Sequence, residues 1–332
     1  MKEKLLEVLA CPGDGLPLTL RDPSFVDAEV KAGRLICEGA HEYPVVNYIP
    51  RFVPSDLYVG NFSKEWIIHR TTQYDSVSGV ENSRQAFELK TGFTDDQIRG
   101  KLVLEGGCGS GRFLAIARRA ESEVVGLDLS HSVDAALQVV GKDSKTHLVQ
   151  GDILRPPFKA ESFDYVYSIG VLHHTRDAKE GFFALRNLLR KGGRIAVWLY
   201  PNDGVFVKTM NAVGGIYRRG ASMMSLDALY HVCVRMEDVA PIPKVLIESG
   251  EFKPDETLSN GRFHPRQAFY LAFPFFGLGP SLEWRILDTF DYLSPRYQTK
   301  HTWAEVRGWF RQAGLVDLTR LPIAVSWSGR RP

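Results

Sequence analysis

The middle of the chain alternates short apolar runs with amphipathic stretches, and that alternation sets the fold class before any motif is considered. From Lys101 to Tyr200 the segments "KLVLEG", "EVVGLDLS", "THLVQGD", "SFDYVYSIGVL" and "RIAVWLYP" read as buried strands. "GRFLAIARRA", "HSVDAALQVVG" and "AKEGFFALRNLLRKGG" carry apolar residues at helical spacing, the last helix ending at Gly192-Gly193. Strands at this spacing, separated by helices, predict βαβ units: an α/β fold with a doubly wound, mostly parallel sheet and helices on both faces.

The pattern changes on either side. Residues 1–54 contain the strand-like fragments "LPLTL", "GRLIC" and "EYPVVNYIPRFVP" among Pro and Gly, and predict a small β-rich module. Residues 55–100 carry helical patterns, including "SKEWIIHRTTQYD" and "NSRQAFELKTG", and Thr94 with Gln97 forms a capping-box signature. Residues 201–285 interrupt the alternation with "PFFGLGP" and the helical "SLDALYHVCVRMEDVA", and read as an insertion or lid over the ligand edge of the sheet. Order returns with Thr302 and Glu305, a second capping box for "WAEVRGWFRQAG", then Gly314 as C-cap and the strand "LVDLTRL". The expected division is a module at 1–54 and a larger domain at 55–332 that contains the 201–285 insertion.

Composition narrows the partners. At 332 residues, 44% hydrophobic and 24% charged, the chain matches an ordinary globular protein. A net charge of +2, with Lys and Arg scattered, gives no reason to expect nucleic acid or an anionic membrane. The start "MKEKLLEVLACPGDG" is too short and too charged for a signal peptide, and no apolar run approaches the roughly 20 residues of a membrane span. Cys11, Cys37, Cys108 and Cys233 do not make a disulfide framework in a chain this long. The expectation is a soluble cytoplasmic protein; its oligomeric state stays open.

The candidate chemistry begins at "LVLEGGCGSGRF". A strand, then Gly107-x-Gly109-x-Gly111, then a helix is a nucleotide-type turn, where glycines let a ligand approach the backbone. A dinucleotide fingerprint would be GxGxxG, and counted from Gly107 its third glycine is replaced by Arg112. Asp128, ending the second strand, stands about where a ribose-binding acid belongs. A ligand-free structural turn, a dinucleotide cradle and a site for a nucleoside without pyrophosphate are the three readings. The GxGxG spacing favours the third.

At these residues the chain resembles the class I S-adenosylmethionine-dependent methyltransferases, well over about 60–200 and weakly over 285–320. "LEGGCGSG" is similar to that family's acidic glycine loop, "GLDLS" to its ribose motif, "QGDIL" to its adenine motif, and "SIGVLHH" to its fourth-strand motif. "LLRKGGRIAVW" is similar to the turn before strand five. The resemblance implies S-adenosylmethionine as cofactor, with S-adenosylhomocysteine as product, and a seven-stranded sheet. It implies cofactor contacts from Glu105, Gly106, Gly107, Gly109, Gly111 and Arg112 in the loop. Asp128 and Leu129, Asp152 and Ile153, and Ser168 would complete the pocket. The lead-in "NFSKEW…TTQYDSVSG" resembles a bacterial subgroup in which such residues close over the cofactor, making Gln73 a contact and Phe62 and Trp66 candidates.

Methyl transfer asks a protein to align nucleophile, methyl and sulfur, and to supply a base where the acceptor carries a proton. His173 and His174 lie at the end of strand four, where ligands gather in open α/β sheets, and are the candidate bases, with Tyr200 a third candidate in the same pocket. The favoured alternative for the histidines is that they hydrogen-bond backbone or shape the pocket without taking a proton. Acceptor-side candidates are His174, Tyr200, and Asp291, Arg296, Tyr297 and His301 in "DYLSPRYQTKH".

The amino-terminal segment resembles the small zinc-ribbon-like activator associated with many methyltransferases, whose two Cys-x-x-Cys pairs hold zinc. Only the first cysteine of each pair is kept: Cys11 is followed by Asp14, and Cys37 by Ala40 and His41. Asp is an uncommon structural zinc ligand, so the expectation is a metal-free module. The expected function is methyl transfer to a small-molecule acceptor in secondary or cell-envelope metabolism. The alternatives are an RNA or translation-factor methyltransferase, a non-catalytic cofactor-binding partner or sensor, and a dehydrogenase.

Overall fold

The computed structural model describes residues 1–54, 59–79, 81–141, 143–239 and 281–332. Strands β1 (Leu18–Val26), β2 (Glu29–Cys37), β3 (Glu42–Val46) and β4 (Ile49–Pro50) form an antiparallel sheet in that order. Val30, Leu35, Val45 and Phe52 of this segment join Met1, Leu5 and Leu9 in a cluster continuous with Val125 and Phe158 of the main body. The backbone is stitched across as well. The Ala10 amide donates to Pro157 O at 3.0 Å and the Phe52 amide to Gln150 O at 2.8 Å. Arg51 adds Nη2 to Asp134 at 2.6 Å and Nη1 to Gln150 Oε1 at 2.8 Å.

Helices α1 (Gly60–Ile68), α2 (Asp75–Ser78), α3 (Asn82–Thr91) and α4 (Asp95–Ile98) lead into the main sheet. There β5 (Leu102–Gly106), α5 (Arg112–Arg119), β6 (Glu123–Asp128), α6 (Ser132–Val139), β7 (Thr146–Gln150), β8 (Phe163–Ile169), α7 (Ala178–Asn187) and β9 (Leu189–Trp198) follow in turn. Next come α8 (Val205–Ala221), α9 (Leu226–Val239), α10 (Leu282–Leu293), α11 (Trp303–Gln312), β10 (Val316–Arg320) and β11 (Ser326–Arg330). The sheet order is β10-β11-β9-β8-β5-β6-β7, with β5 to β9 parallel and β11 antiparallel to both of its neighbours, β9 and β10.

This is the predicted doubly wound, mostly parallel sheet of seven strands. β5 pairs with β6 on one side and β8 on the other, so the chain reverses direction across the sheet there and opens a crevice at the strand ends. The parallel strands have apolar centres because helices cover both faces, and β7 is buried at every position, its polar Thr146, His147 and Gln150 included. Phe182 and Phe310 seal one face, each fully enclosed, and burial of such a ring contributes about 1.5–3 kcal/mol. Both capping boxes form, Thr94 with Gln97 and Thr302 with Glu305. Ala313 is the last C-cap, and Gly314 follows it with φ 68°.

Three expectations need correction. The helix expected to run to Gly192-Gly193 ends at Asn187, because Leu189 already pairs with Phe163 as the start of β9. The helix expected across residues 63–75 stops at Ile68. The seventh strand, β11, was not marked by pattern; it is held between β9 and β10. Of the 201–285 insertion, α8, α9 and the start of α10 are described; the rest, with "PFFGLGP", lies outside the described residues.

Candidate active site

The crevice is built from the glycine turn outward. Gly107 and Gly109 adopt φ of 83° and 51°, a region that favours glycine. A Cβ at Gly107 would lie 2.3 Å from Val171, and one at Gly109 would lie 3.1 Å from the Trp66 indole. The turn is bare because neighbouring side chains already press on it.

Asp128 at the end of β6 is tied to this turn. Its Oδ2 accepts from the Gly109 amide at 2.9 Å, and its Oδ1 from the Ser130 amide at 2.9 Å and hydroxyl at 2.7 Å. Ser168, at the end of β8, donates to Gly106 O at 2.8 Å. Ile153 lies 3.2 Å from where a Gly106 Cβ would stand, while Asp152 accepts from the Leu154 amide at 2.9 Å. Leu129 O accepts from Gln150 at 3.2 Å. Glu105 is buried, accepts from the Tyr167 hydroxyl at 3.2 Å, and is pushed well above the carboxylate range by burial. Arg112 reaches the other way: Nη1 donates to Gln73 Oε1 at 3.0 Å and Nε to Ser83 at 2.8 Å. Gln73 passes the chain on to Asp288 at 3.0 Å. The cofactor candidates thus converge on the carboxyl ends of β5, β6 and β8.

On the other side of β8, His173 and His174 are both buried. His173 Nδ1 accepts from the Tyr200 amide at 3.2 Å, and its ring stacks on Tyr200 at 3.8 Å between centroids. His174 Nδ1 donates to Tyr297 O at 2.9 Å, which leaves Nε2 as an acceptor with no partner among the described residues. Burial pushes His173 well below the usual histidine range and His174 down to about 3. Both imidazoles are neutral hydrogen-bonding groups in this setting. Tyr200 donates to Asp291 Oδ2 at 3.3 Å.

The remaining acceptor-side candidates divide. Tyr297 contributes its carbonyl to His174, and Arg296 is exposed, its guanidinium 5.7 Å from the Tyr297 ring. His301 turns its side chain toward α11, with Thr299 at 2.7 Å and Glu305 at 3.0 Å. Phe62 meets the His174 ring at 5.5 Å.

Three site groups were not among the sequence candidates. Lys300 places Nζ 4.2 Å from the Tyr200 ring and 4.8 Å from the Tyr292 ring; burial first, then Arg218, lowers it to about 7. Asp288 lies on the same helix as Asp291, and burial raises them to about 7 and about 6. Glu65 on α1 is buried, with both carboxylate oxygens unpartnered among the described residues. The available signal was the i, i+3 spacing of the two aspartates and an acid placed between Phe62 and Trp66.

The amino-terminal sheet gathers a separate set of donors. Cys11, Asp14, Cys37 and His41 bring one ligand atom each within 4.8 Å of one another. His41 Nδ1 is 3.4 Å from Cys11 Sγ, 3.5 Å from Cys37 Sγ and 3.0 Å from Asp14 Oδ2; Cys37 Sγ is 3.3 Å from Asp14 Oδ2. Tetrahedral zinc with ordinary bond lengths sets S···N and S···O at about 3.5 Å and N···O at about 3.3 Å. The residues fit the ion: the fold brings Asp14 and His41 to the places of the two missing cysteines.

Comparison with known proteins bears on the middle of the chain. Residues 104–197 match the family model of a methyltransferase domain. A tRNA U34 carboxymethyltransferase of Proteus mirabilis is 32% identical over 112 residues, 32% of this chain and 34% of that protein. An Encephalitozoon cuniculi protein named as a methyltransferase is 29% identical over 156 residues, 46% of this chain and 70% of that one. The chain thus spans only about a third of the length of the first of these relatives. A solved S-adenosylmethionine-dependent methyltransferase from Mesorhizobium loti is 27% identical, covering 32% of this chain and 51% of that chain, with a TM-score of 0.29. The chain carries, across residues 104–197, a methyltransferase domain of the S-adenosylmethionine-dependent class.

Proposed function

We propose that this chain transfers a methyl group from S-adenosylmethionine to a small-molecule acceptor in the crevice between β5, β8 and α10. The observation that carries the reading is the joint placement of the GxGxG turn and Asp128 at the sheet's reversal point, inside the matched domain. S-adenosylmethionine bound there would supply a methyl group already activated by its sulfonium. Asp128 would hold the ribose hydroxyls, Asp152 and Ile153 the adenine, and the glycine turn with Arg112 and Gln73 the methionine part.

Lys300, Asp291 and Tyr200 form the acceptor side of the reading. Lys300, lowered to about 7, exists largely as the free amine just above neutrality and is the group we assign to take the acceptor's proton. His173 and His174 are assigned to orientation, through the Tyr200 amide, the Tyr297 carbonyl and the open Nε2 of His174. Support for a small acceptor comes from the half-buried setting of Tyr200, Asp288, Asp291 and Lys300. Residues 1–54 form the accessory module of this reading, with zinc held by Cys11, Asp14, Cys37 and His41 as a structural staple.

The second reading, an RNA acceptor, is favoured by the name of the Proteus mirabilis relative, although the likeness covers only 34% of that protein. One experiment separates them. Methyl-labelled S-adenosylmethionine is incubated with the protein and either a small-molecule extract or total tRNA. Label in the small-molecule fraction alone supports the first reading; label in tRNA alone replaces it with the second.

A further inference from the structure

The assignments above leave one buried titratable side chain unused. Glu65 on α1 is fully enclosed, and among the described residues neither of its carboxylate oxygens has a hydrogen-bond partner. An unpaired carboxyl in such a place is costly and calls for an explanation. Its neighbours on the helix fix where it stands. Phe62, three residues before, meets the His174 ring at 5.5 Å. Trp66, the next residue, lies 3.1 Å from where a Gly109 Cβ would be. Asn61, a turn earlier, donates to Ser294 beyond the end of α10 at 3.1 Å. Glu65 therefore sits on the part of α1 that bridges the glycine turn and the end of β8.

The charged groups that act on Glu65 from the facing elements are Asp291 and Asp288 on α10 and Asp128 on β6, all acids. An acid surrounded by acids, enclosed and without a donor, is a place prepared for a cation. We propose that Glu65 is the counter-charge for the sulfonium of the donor, and so makes the site prefer S-adenosylmethionine to its demethylated product. The proposal rests on the donor reading above. In the transfer the sulfur–methyl bond breaks, an acceptor–methyl bond forms, and the acceptor's proton passes to the base. Sulfur keeps the electron pair and becomes a neutral thioether. The donor's ammonium and carboxylate are the same before and after, so the sulfonium charge is what Glu65 can read. Its counter-charge disappears with the reaction, which favours release of S-adenosylhomocysteine.

Burial first, then the charges of Asp291, Asp288 and Asp128, push the Glu65 carboxyl well above the carboxylate range and so favour its protonated form before the donor binds. Arrival of the sulfonium then expels that proton, and arrival of the thioether does not.

Titration calorimetry of the full chain and of Glu65→Gln, with S-adenosylmethionine and S-adenosylhomocysteine in two buffers of different ionisation enthalpy, tests this. The wild type should release about one proton with S-adenosylmethionine and none with S-adenosylhomocysteine. Glu65→Gln should bind S-adenosylmethionine about tenfold more weakly or worse, and S-adenosylhomocysteine within about twofold of wild type. The retained product affinity certifies that the variant is folded. Equal loss for both ligands, or no loss for either, overturns the role of Glu65 alone. A wild type that binds neither ligand removes the donor reading and this inference with it.

Discussion

The Lys300 ammonium nitrogen sits 4.2 Å above the ring of Tyr200, whose hydroxyl donates to Asp291 at 3.3 Å. Burial, and the like charge of Arg218, lower Lys300 to about 7, while Asp291 pulls the other way. A lysine acting as base works only after losing its proton, so kcat should rise with pH through about 7 and then level off. Lys300→Met should lower kcat by about 100-fold, abolish that rising limb, and leave S-adenosylmethionine affinity within about twofold. A variant with the wild-type pH profile would return Lys300 to a packing role.

Asp128 makes a second prediction, separate from catalysis. Its carboxylate both receives the Gly109 amide and stands where the ribose hydroxyls are assigned. Hydrogen bonds to a charged group contribute about 1.5–3 kcal/mol each, so losing two should weaken donor binding by at least about 100-fold. Asp128→Ala should do this by calorimetry while retaining the wild-type circular dichroism spectrum. Near-wild-type affinity would contradict the ribose assignment.

The amino-terminal donor set predicts metal. Elemental analysis of the purified protein should find one zinc per chain, against the metal-free expectation drawn from the incomplete Cys-x-x-Cys pairs. Because β1–β4 share a core with the main sheet, removal of the metal should be felt there too. A strong chelator, or Cys37→Ala, should lower the Tm by several degrees with S-adenosylmethionine affinity preserved. Zinc well below stoichiometry would sink the site.

The acids of the crevice and Lys300 make opposing contributions to the pH dependence of stability. Asp288 is raised by burial to about 7 and Asp291 to about 6. A carboxyl whose folded pKa lies above its unfolded value of about 4 binds its proton more tightly in the folded chain. Its stabilising contribution is therefore full below about pH 4 and lost as pH rises through about 6–7. His174, lowered to about 3, acts oppositely: its contribution is complete above about 6.5 and is lost as pH falls. Between pH 6.5 and 8 the acids lower stability as pH rises, while Lys300, lowered to about 7, and the amino terminus, lowered to about 5, raise it, because the unfolded chain holds their protons longer. The acid contribution is read from a variant: Asp288→Asn should make the slope of Tm against pH over this range more positive than in the wild type; an unchanged slope would show that Asp288 titrates in the ordinary carboxylate range.

The sequence carried those parts that local pattern decides. The parallel strands were readable because strands buried on both faces carry apolar runs at their centres, and both capping boxes because their partners stand three positions apart. The end of α7 was not, since Leu189 is extended only through its pairing with Phe163. β11, "SWSGR", has no apolar run of its own and becomes a strand by filling the gap between β9 and β10. In the site, the glycine turn, Asp128 and Ser168 follow one another along βαβ units and were legible together. Glu65, Asp288 and Lys300 were not, because separate helices and a loop bring them to the crevice. The same holds for Cys11, Asp14, Cys37 and His41, which the antiparallel sheet assembles from two distant turns.

The central claim is that the glycine turn and Asp128 bind a sulfonium nucleoside. Titration of the purified chain with S-adenosylmethionine, S-adenosylhomocysteine and NAD, side by side, tests it most directly. The account predicts one site per chain for each of the first two ligands and no heat with NAD. Binding of NAD, with neither of the other two bound, would contradict it.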